Sequence, residues 1–326
     1  MLCIISKSNF APFNIATEEF ILKNLDQDVF LLYRNTPSII VGKHQNTLSE
    51  INYDYVRQHA IPVVRRMTGG GTVFHDMGNL NFCFIMQEIS NDARSFEKYT
   101  LPVISALKSL GIDARLEGRN DLTINGLKFS GNARGVFGGK VLQHGTILYS
   151  SQMADLSSAL QFNPLKFKDK AVKSIRARVT NVCDHLSEPL ELDAFIALIH
   201  NEVRSLFADA VDHEFSSKEL DAIQELVDSK YDTWEWNYGS SPKFNHRGAI
   251  RCTAGTIEIY TEIEKGRIAD IRVFGDFFGT RDPSEFEDAL KGTLHREDEV
   301  IKVLETMPLD EIFGLVTPLE LSKALF

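Results

Sequence analysis

Asn125-Gly126, set between Leu122-Thr123-Ile124 and Leu127-Lys128-Phe129, constrains the fold of this chain more than any other stretch. A two-residue type I′ turn needs two residues that tolerate positive φ, and Asn-Gly between apolar runs is the strongest short-range hairpin signal. The register that follows pairs Ile124 with Leu127, Thr123 with Lys128, Leu122 with Phe129 and Asp121 with Ser130. Alternation then collects Leu122, Ile124, Leu127 and Phe129 on a core face, and Asp121, Thr123, Lys128 and Ser130 on a polar one. Gly138-Gly139 marks a second hairpin, joining Asn132–Phe137 to Lys140–Tyr149, so the whole reads as a three-stranded meander. A bulge at Gly131 would flip the parity beyond it. Without one, His144-Gly145-Thr146 lies opposite Ala133 back to Gly131, and these small residues leave room for a ligand.

A second stretch is chemical rather than conformational. Ile61–Arg65 reads as a strand that delivers Arg65 and Arg66 into Met67-Thr68-Gly69-Gly70-Gly71-Thr72-Val73-Phe74-His75-Asp76, and Leu80–Ile85 as a strand that leaves it. Fixed positive charge beside glycines, whose bare backbone N–H groups a ligand can approach, suits an anion. A flexible turn with solvated arginines fits the same residues. The chain holds no Gly-x-x-x-x-Gly-Lys-Ser/Thr phosphate loop, no Gly-x-Gly-x-x-Gly fingerprint and no His-Glu-x-x-His. Ordinary kinase, dehydrogenase and zinc-protease readings therefore lose their main support.

Length and charge narrow the class. At 326 residues the chain allows one large and one small domain. A formal charge of -10 argues against general nucleic-acid binding. The start, Met1-Leu2-Cys3-Ile4-Ile5-Ser6-Lys7, has no basic n-region, and no apolar run is long enough to span a bilayer. Cys3, Cys83, Cys183 and Cys252 are widely separated, which fits neither a disulfide framework nor a zinc site and points to a reducing cytoplasm.

The remaining elements follow from periodicity and caps. Asn14 stands where an N-cap would, ahead of a helix over Ile15–Leu25. Val29–Arg34 and Ser38–Val41 read as a strand pair about the Asn35-Thr36-Pro37 turn, and Tyr53–His59 as a short helix. Ser95–Leu110 and Ser187–Phe207 carry amphipathic helices, and Ser216-Ser217-Lys218-Glu219 is a capping box opening another. Lys166, Lys168, Lys170, Lys173, Arg176 and Arg178 form a basic segment, either a docking patch for an acidic partner or a solvated loop. Gly239-Ser240-Ser241-Pro242 marks the expected boundary between a domain over 1–240 and one over 245–326. Beyond it, Thr256–Glu262 and Ile268–Phe274 read as strands, while Asp282-Pro283 and Thr317-Pro318 open helices.

Taken together, these motifs resemble those of the lipoate-protein ligase A family. Arg65 to Asp76, then Gly118-Arg119-Asn120-Asp121-Leu122, Lys128-Phe129-Ser130-Gly131-Asn132-Ala133, His144-Gly145-Thr146-Ile147-Leu148 and Arg178-Val179-Thr180-Asn181 occur in that family's order. Phe13-Asn14-Ile15-Ala16-Thr17-Glu18-Glu19 and Trp234-Glu235-Trp236-Asn237-Tyr238-Gly239 are similar to it too. The resemblance implies an α+β fold: a mixed sheet with flanking helices, as in biotin and lipoate ligases, and a small α+β C-terminal accessory domain.

It also implies a two-step reaction. Lipoate and ATP with Mg2+ give lipoyl-adenylate and pyrophosphate, and the acyl group passes to a lysine of a carrier domain. Lys128 matches the family's active-site lysine, shared by lipoate and nucleotide with Arg66. Gly70, Gly71, Thr72, Val73, Phe74, His75, Asn79 and Asp121 are the further expected contacts to ATP or acyl-adenylate, with Asp121 a candidate metal ligand. An apolar slot walled by Val41, Val73 and Phe74 would take the lipoyl tail. The implied carriers are lipoyl domains of 2-oxoacid dehydrogenase complexes or the glycine cleavage H protein. Rival readings are an ATP-independent octanoyl transferase using a Cys183 thioester, a biotin ligase, and a non-catalytic lipoate binder.

Overall fold

The computed structural model describes residues 1–45, 47–87, 96–152, 179–238 and 246–326. The basic segment and the Gly239–Pro242 boundary lie outside the described residues. The chain begins with β1 (Leu2–Ile5), α1 (Ala11–Asn24), β2 (Val29–Tyr33), β3 (Ser38–Val41), α2 (Thr47–Glu50) and α3 (Tyr53–Gln58). There follow β4 (Val63–Arg65), β5 (Val73–His75), β6 (Asn79–Gln87), α4 (Glu97–Ser109), β7 (Ala114–Glu117), β8 (Asp121–Ile124), β9 (Leu127–Phe137) and β10 (Lys140–Leu148). Next come α5 (Leu192–Leu206), β11 (Val211–Asp212), α6 (Ser217–Leu226) and α7 (Trp234–Asn237). The C-terminal part holds β12 (His246–Cys252), β13 (Gly255–Glu264), β14 (Arg267–Gly275), α8 (Ser284–Leu290), α9 (Glu297–Glu305), α10 (Leu309–Ile312) and α11 (Pro318–Ser322).

Three sheets result among the described residues. The large one has the order β11-β1-β2-β6-β10-β9-β8-β7, parallel about β1 and antiparallel from β2 onward. Period-two alternation along its strands feeds two cores. Phe30 and Leu32 of β2, with Phe82 and Phe84 of β6, pack under α4 and α5 against Tyr99, Val103, Phe195 and Ile199. Val29, Leu31 and Tyr33, with Cys83 and Ile85, face the other way, toward α1, α6 and the small sheet β4-β3-β5. The mixed sheet with flanking helices and the C-terminal α+β unit are thus as expected, although that unit carries a third strand, β12, ahead of the two read from sequence. No helix among the described residues is long and apolar enough to cross a membrane.

Several local expectations need correction. Helix α1 starts at Ala11, with Pro12 in its first turn, so Asn14 is not its cap. Because α1 is buried almost all round, it has no clean apolar stripe to betray its length. The stretches β2 and β3 do not pair with each other. β2 joins the large sheet, while β3 joins the small one with β4 and β5. Val73–His75 was expected within a loop and is a strand. Asp282 does accept from the Ser284 amide, but the helix begins one residue later than expected, at Ser284.

The meander forms as the turn chemistry dictates, with Asn125 and Gly126 both at positive φ. Ile124 pairs with Leu127 and Thr123 with Lys128. The register then slips, so that Leu122 meets Ser130 and Asp121 meets Gly131. The bulge sits earlier than Gly131, leaving Phe129 as the extra residue, and Phe129 is fully buried in the first core. Beyond it the second hairpin has the unbulged register, with His144 opposite Ala133 and Gly145 opposite Asn132.

Candidate active site

A cavity opens between the large sheet and the small one. Its floor is crossed by β2, β6, β10 and β9, through Tyr33, Asn81, His144 and Ala133. Its roof is Ile40 of β3 and the run from Arg66 through the glycines to Val73 and His75. Lys128 stands at the partly exposed end, and Ile15, Tyr33 and His75 belong to the buried end.

Lys128 and Asp121 form an ion pair with Nζ to Oδ1 at 2.7 Å, both side chains about two-fifths exposed (41% and 39%). Gly131 makes this placement possible, because a Cβ there would stand 3.1 Å from the lysine Nζ. The strand carrying Lys128 is held on its outer side by the Thr180 amide, which donates to the Lys128 carbonyl at 2.9 Å. Asn120 and Asn132 lock the neighbouring turn to β9, the Asn132 amide donating to the Asn120 carbonyl at 2.9 Å.

The two adjacent arginines do different work. Arg65 turns away from the cavity, and its guanidinium donates to the carbonyls of Gly42, Lys43, Gln45 and Trp236 at 2.7–3.0 Å and to Thr47 Oγ1 at 2.6 Å. Asn237 Oδ1 accepts from the Arg65 amide, which explains why the Trp-Glu-Trp-Asn stretch travels with the arginines. Arg66 lines the cavity and shapes its roof, donating to Thr68 Oγ1, Ile40 O, Gly69 O and Gly71 O. Burial draws both guanidinium pKa values down to about 10, so both remain charged at neutral pH.

A buried relay backs the cavity. The Arg66 Nε donates to Thr68 Oγ1 at 3.1 Å, and Thr68 Oγ1 meets His144 Nε2 at 2.7 Å. His144 Nδ1 lies 2.7 Å from Glu18, which also accepts from Tyr33 Oη at 3.0 Å. A carboxylate only accepts, so His144 donates to Glu18 from Nδ1 and meets the Thr68 hydroxyl with Nε2. Glu18, Cys83 and His144 bring ligand-type atoms within 4.8 Å of one another, yet the glutamate and histidine are already bonded to each other. Sequence reasoning singled out neither Glu18 nor Tyr33 as a site residue, since their convergence depends on α1 packing over β2 and β10.

Of the residues expected from sequence, Arg66, Gly70, Gly71, Thr72, Val73, His75 and Lys128 line the cavity. Phe74 and Val41 do not: both point into a separate core with Ile39, Ile51 and Val63. The slot expected from Val41, Val73 and Phe74 is therefore corrected to Ile15, Tyr33, Ile40 and Val73. Asn79 is buried behind the wall, donating to Asn81 Oδ1 at 2.9 Å, and Asp121 reaches the mouth through Lys128. Cys183 lies in a single helical turn, Val182–His185, outside the cavity lining. Burial, then the neighbouring Asp184, pushes its thiol up, which works against a thioester role.

The C-terminal unit closes over the glycine run. Phe278 would meet a Cβ on Gly70 at 2.7 Å, and the Arg119 guanidinium lies 4.5 Å from the Phe278 ring centre. Arg119 also donates to the Ala254 carbonyl at 2.5 Å, His44 stacks on Phe277 at 5.0 Å, and Lys43 pairs with Asp282 at 3.1 Å.

Comparison with known proteins places this architecture. The family model of the lipoyl protein ligase A/B catalytic domain matches residues 11–204, and that of the bacterial lipoate protein ligase C-terminus matches residues 241–325. Lipoate--protein ligase 1 of Staphylococcus aureus is 40% identical over 325 residues, covering 98% of each chain. The crystal structure of P. falciparum LipL1 with lipoate superposes with a TM-score of 0.76 at 25% identity, covering 94% of each chain. A lipoate-protein ligase A bound with ATP gives 0.63 at 26% identity, over 73% of this chain and 98% of that one. By sequence along its whole length and by fold, the chain belongs to the lipoate-protein ligase family of enzymes.

Proposed function

We propose that this ligase uses ATP to activate lipoate at the Lys128 mouth of the cavity and passes the lipoyl group to a lysine of a carrier domain. The observation that carries the reading is Lys128, ion-paired with Asp121 across from the glycine roof, at the open end of a buried slot. In the first step a lipoate carboxylate oxygen attacks the α-phosphorus of ATP, the P–O bond to the β-phosphate breaks, and pyrophosphate leaves. Two anions must approach, so the site has to supply cations and N–H donors where charge develops. Lys128 spans carboxylate and phosphate oxygens, and Arg66 holds the glycine roof in shape while keeping positive charge beside the slot. In the second step the carrier lysine amine attacks the acyl carbonyl and AMP leaves.

Magnesium fits as a companion of the triphosphate. Asp121 is the carboxylate beside Lys128, and it would hold the ion together with phosphate oxygens and waters; the ion would offset charge on the leaving pyrophosphate. Carriers of the 2-oxoacid dehydrogenase or glycine cleavage H type, and a cytoplasmic setting, complete the proposal. We assign residues 1–240 to catalysis and 245–326 to an accessory domain that braces the glycine roof.

The test is pyrophosphate release on mixing the protein with ATP-Mg and lipoate. Lys128→Ala should lose at least about a hundredfold in rate while keeping its circular dichroism spectrum. Undiminished release from that variant would remove Lys128 from the chemistry.

A further inference from the structure

The Val179-Thr180-Asn181 stretch has no part in the chemistry above, yet it sits against the strand that carries Lys128. β9 pairs with β10 only from Asn132 to Phe137, so the backbone around Lys128 runs past the end of its neighbour. Val179 fills the gap as a parallel bridge to Lys128, and the Thr180 amide donates to the Lys128 carbonyl at 2.9 Å. So short a ladder is weak by itself, since one such hydrogen bond stabilises by only about 1 kcal/mol. Something else has to hold it in place.

That hold is the Asn181 side chain. Its Oδ1 accepts from the Ser151 amide at 2.9 Å and its Nδ2 donates to the Ser151 carbonyl at 3.1 Å, a two-point clasp between residues thirty apart in the chain. A backbone amide only donates and a carbonyl only accepts, so the Asn181 amide has a single orientation here. Thr180 is also fixed by the 2.8 Å contact of its hydroxyl with His185 Nε2. Around Ser151 the same backbone is tied to the turn that follows the glycine run. Gln152 donates to Asp76 Oδ2 at 2.7 Å, Gly78 donates to Asp76 Oδ1 at 2.9 Å, and the Gly78 carbonyl accepts from the amides of Tyr149 and Ser150. Asp76 comes directly after His75, the last residue of β5 in the cavity roof. A continuous strap of hydrogen bonds and peptide links therefore runs from the roof through Asp76, Gln152, Ser151, Asn181 and Thr180 to Lys128.

We propose that Asn181 is a positioning residue for acid activation, which seats Thr180 against Lys128 and so fixes where the lysine stands beneath the roof. The inference rests on the proposed activation at Lys128 and concerns what holds that lysine in place. A cation that must meet a carboxylate and a phosphate at once tolerates little displacement, and a misplacement of about 1 Å can cost about a hundredfold in rate. Asn181 is not one of the residues lining the cavity, so its loss falls on the chemical step and spares the binding of the acid.

The experiment separates rate from binding. Pyrophosphate release with ATP-Mg and lipoate gives kcat and KM, calorimetric titration gives the lipoate Kd without ATP, and NMR follows hydrogen exchange at the Thr180 amide. Asn181→Ala should lower kcat about tenfold or more while the lipoate Kd stays within about twofold. Exchange at Thr180 should quicken about tenfold or more, because its bond to Lys128 opens more often. Asp76→Asn, which removes one acceptor at the roof end of the strap, should show the same pattern more weakly, and it carries the test if Asn181→Ala fails to fold. An unchanged kcat, a loss that lies in the lipoate Kd, or unchanged exchange at Thr180 overturns the proposal. If the natural protein releases no pyrophosphate with lipoate, it is the proposed function that fails, and exchange at Thr180 still decides whether Asn181 seats the Lys128 strand.

Discussion

At the scale of single residues, Glu19 shows how a buried charge is tied to stability. It is almost inaccessible, paired with Lys23 at 2.5 Å and Lys230 at 2.6 Å, and bonded to the Tyr231 hydroxyl. Burial works to raise its pKa, but the bonds from Lys23, Lys230 and Tyr231 together outweigh it and leave the carboxyl below its ordinary value. The unfolded chain therefore binds the proton more readily, so the contribution is present above the unfolded pKa of about 4.3 and is lost as pH falls through the lower folded one. Glu19→Gln should destabilise the protein by about 2 kcal/mol at neutral pH, with the difference shrinking below about pH 4. Urea unfolding at pH 7 and at pH 4 checks this, and an equal difference at both would remove the carboxylate's charge from the account. The neighbouring Arg65 and Arg66 teach a related point. Their identical side chains serve opposite faces of one backbone, and only the carbonyls brought from residues 42–45 and 236 turn Arg65 inward.

At the scale of elements, the Asn125-Gly126 hairpin was legible in full up to its second pair and misread beyond it. Turn chemistry is local, so Ile124–Leu127 and Thr123–Lys128 followed from sequence. The slip that takes Asp121 to Gly131 leaves Phe129 as the extra residue while keeping it buried in the core, as alternation expects. The Lys128–Asp121 contact survives the slip, because long side chains reach diagonal neighbours. Gly126 has φ of 76°, a conformation that strains any residue with a Cβ. Gly126→Ala should lower stability by about 1 kcal/mol with an unchanged urea m-value. A midpoint equal to that of the natural protein would mean that the turn relaxes without loss.

At the scale of the whole molecule, the C-terminal unit and the glycine run are fitted backbone to backbone. A Cβ on Gly69 would collide with the Phe277 carbonyl oxygen, and the amide of Gly275 donates to the His44 carbonyl. Gly69→Ala should therefore push the C-terminal unit from its seat without touching either core. Calorimetry should then resolve a separate, lower-temperature transition, because two units that lose their shared interface unfold independently. A single unshifted transition would show that the seat is not what couples them.

The sequence by itself determined the features whose causes are local: the two hairpins, the caps at Ser216 and Thr317, and the motif order that marks the family. It also named Lys128 and the glycine run, since charge and missing side chains are visible in a string of letters. Only the tertiary structure decided which sheet β3 joins, that Val73–His75 is a strand, and that Val41 and Phe74 face a second core. Strand partners and cavity walls arise from long-range packing, where apolar residues suit several surfaces equally well and burial against a particular neighbour makes the choice. The relay from Arg66 to Glu18, and the clasp of Asn181 on Ser151, exist for the same reason: segments far apart in the chain meet around one slot.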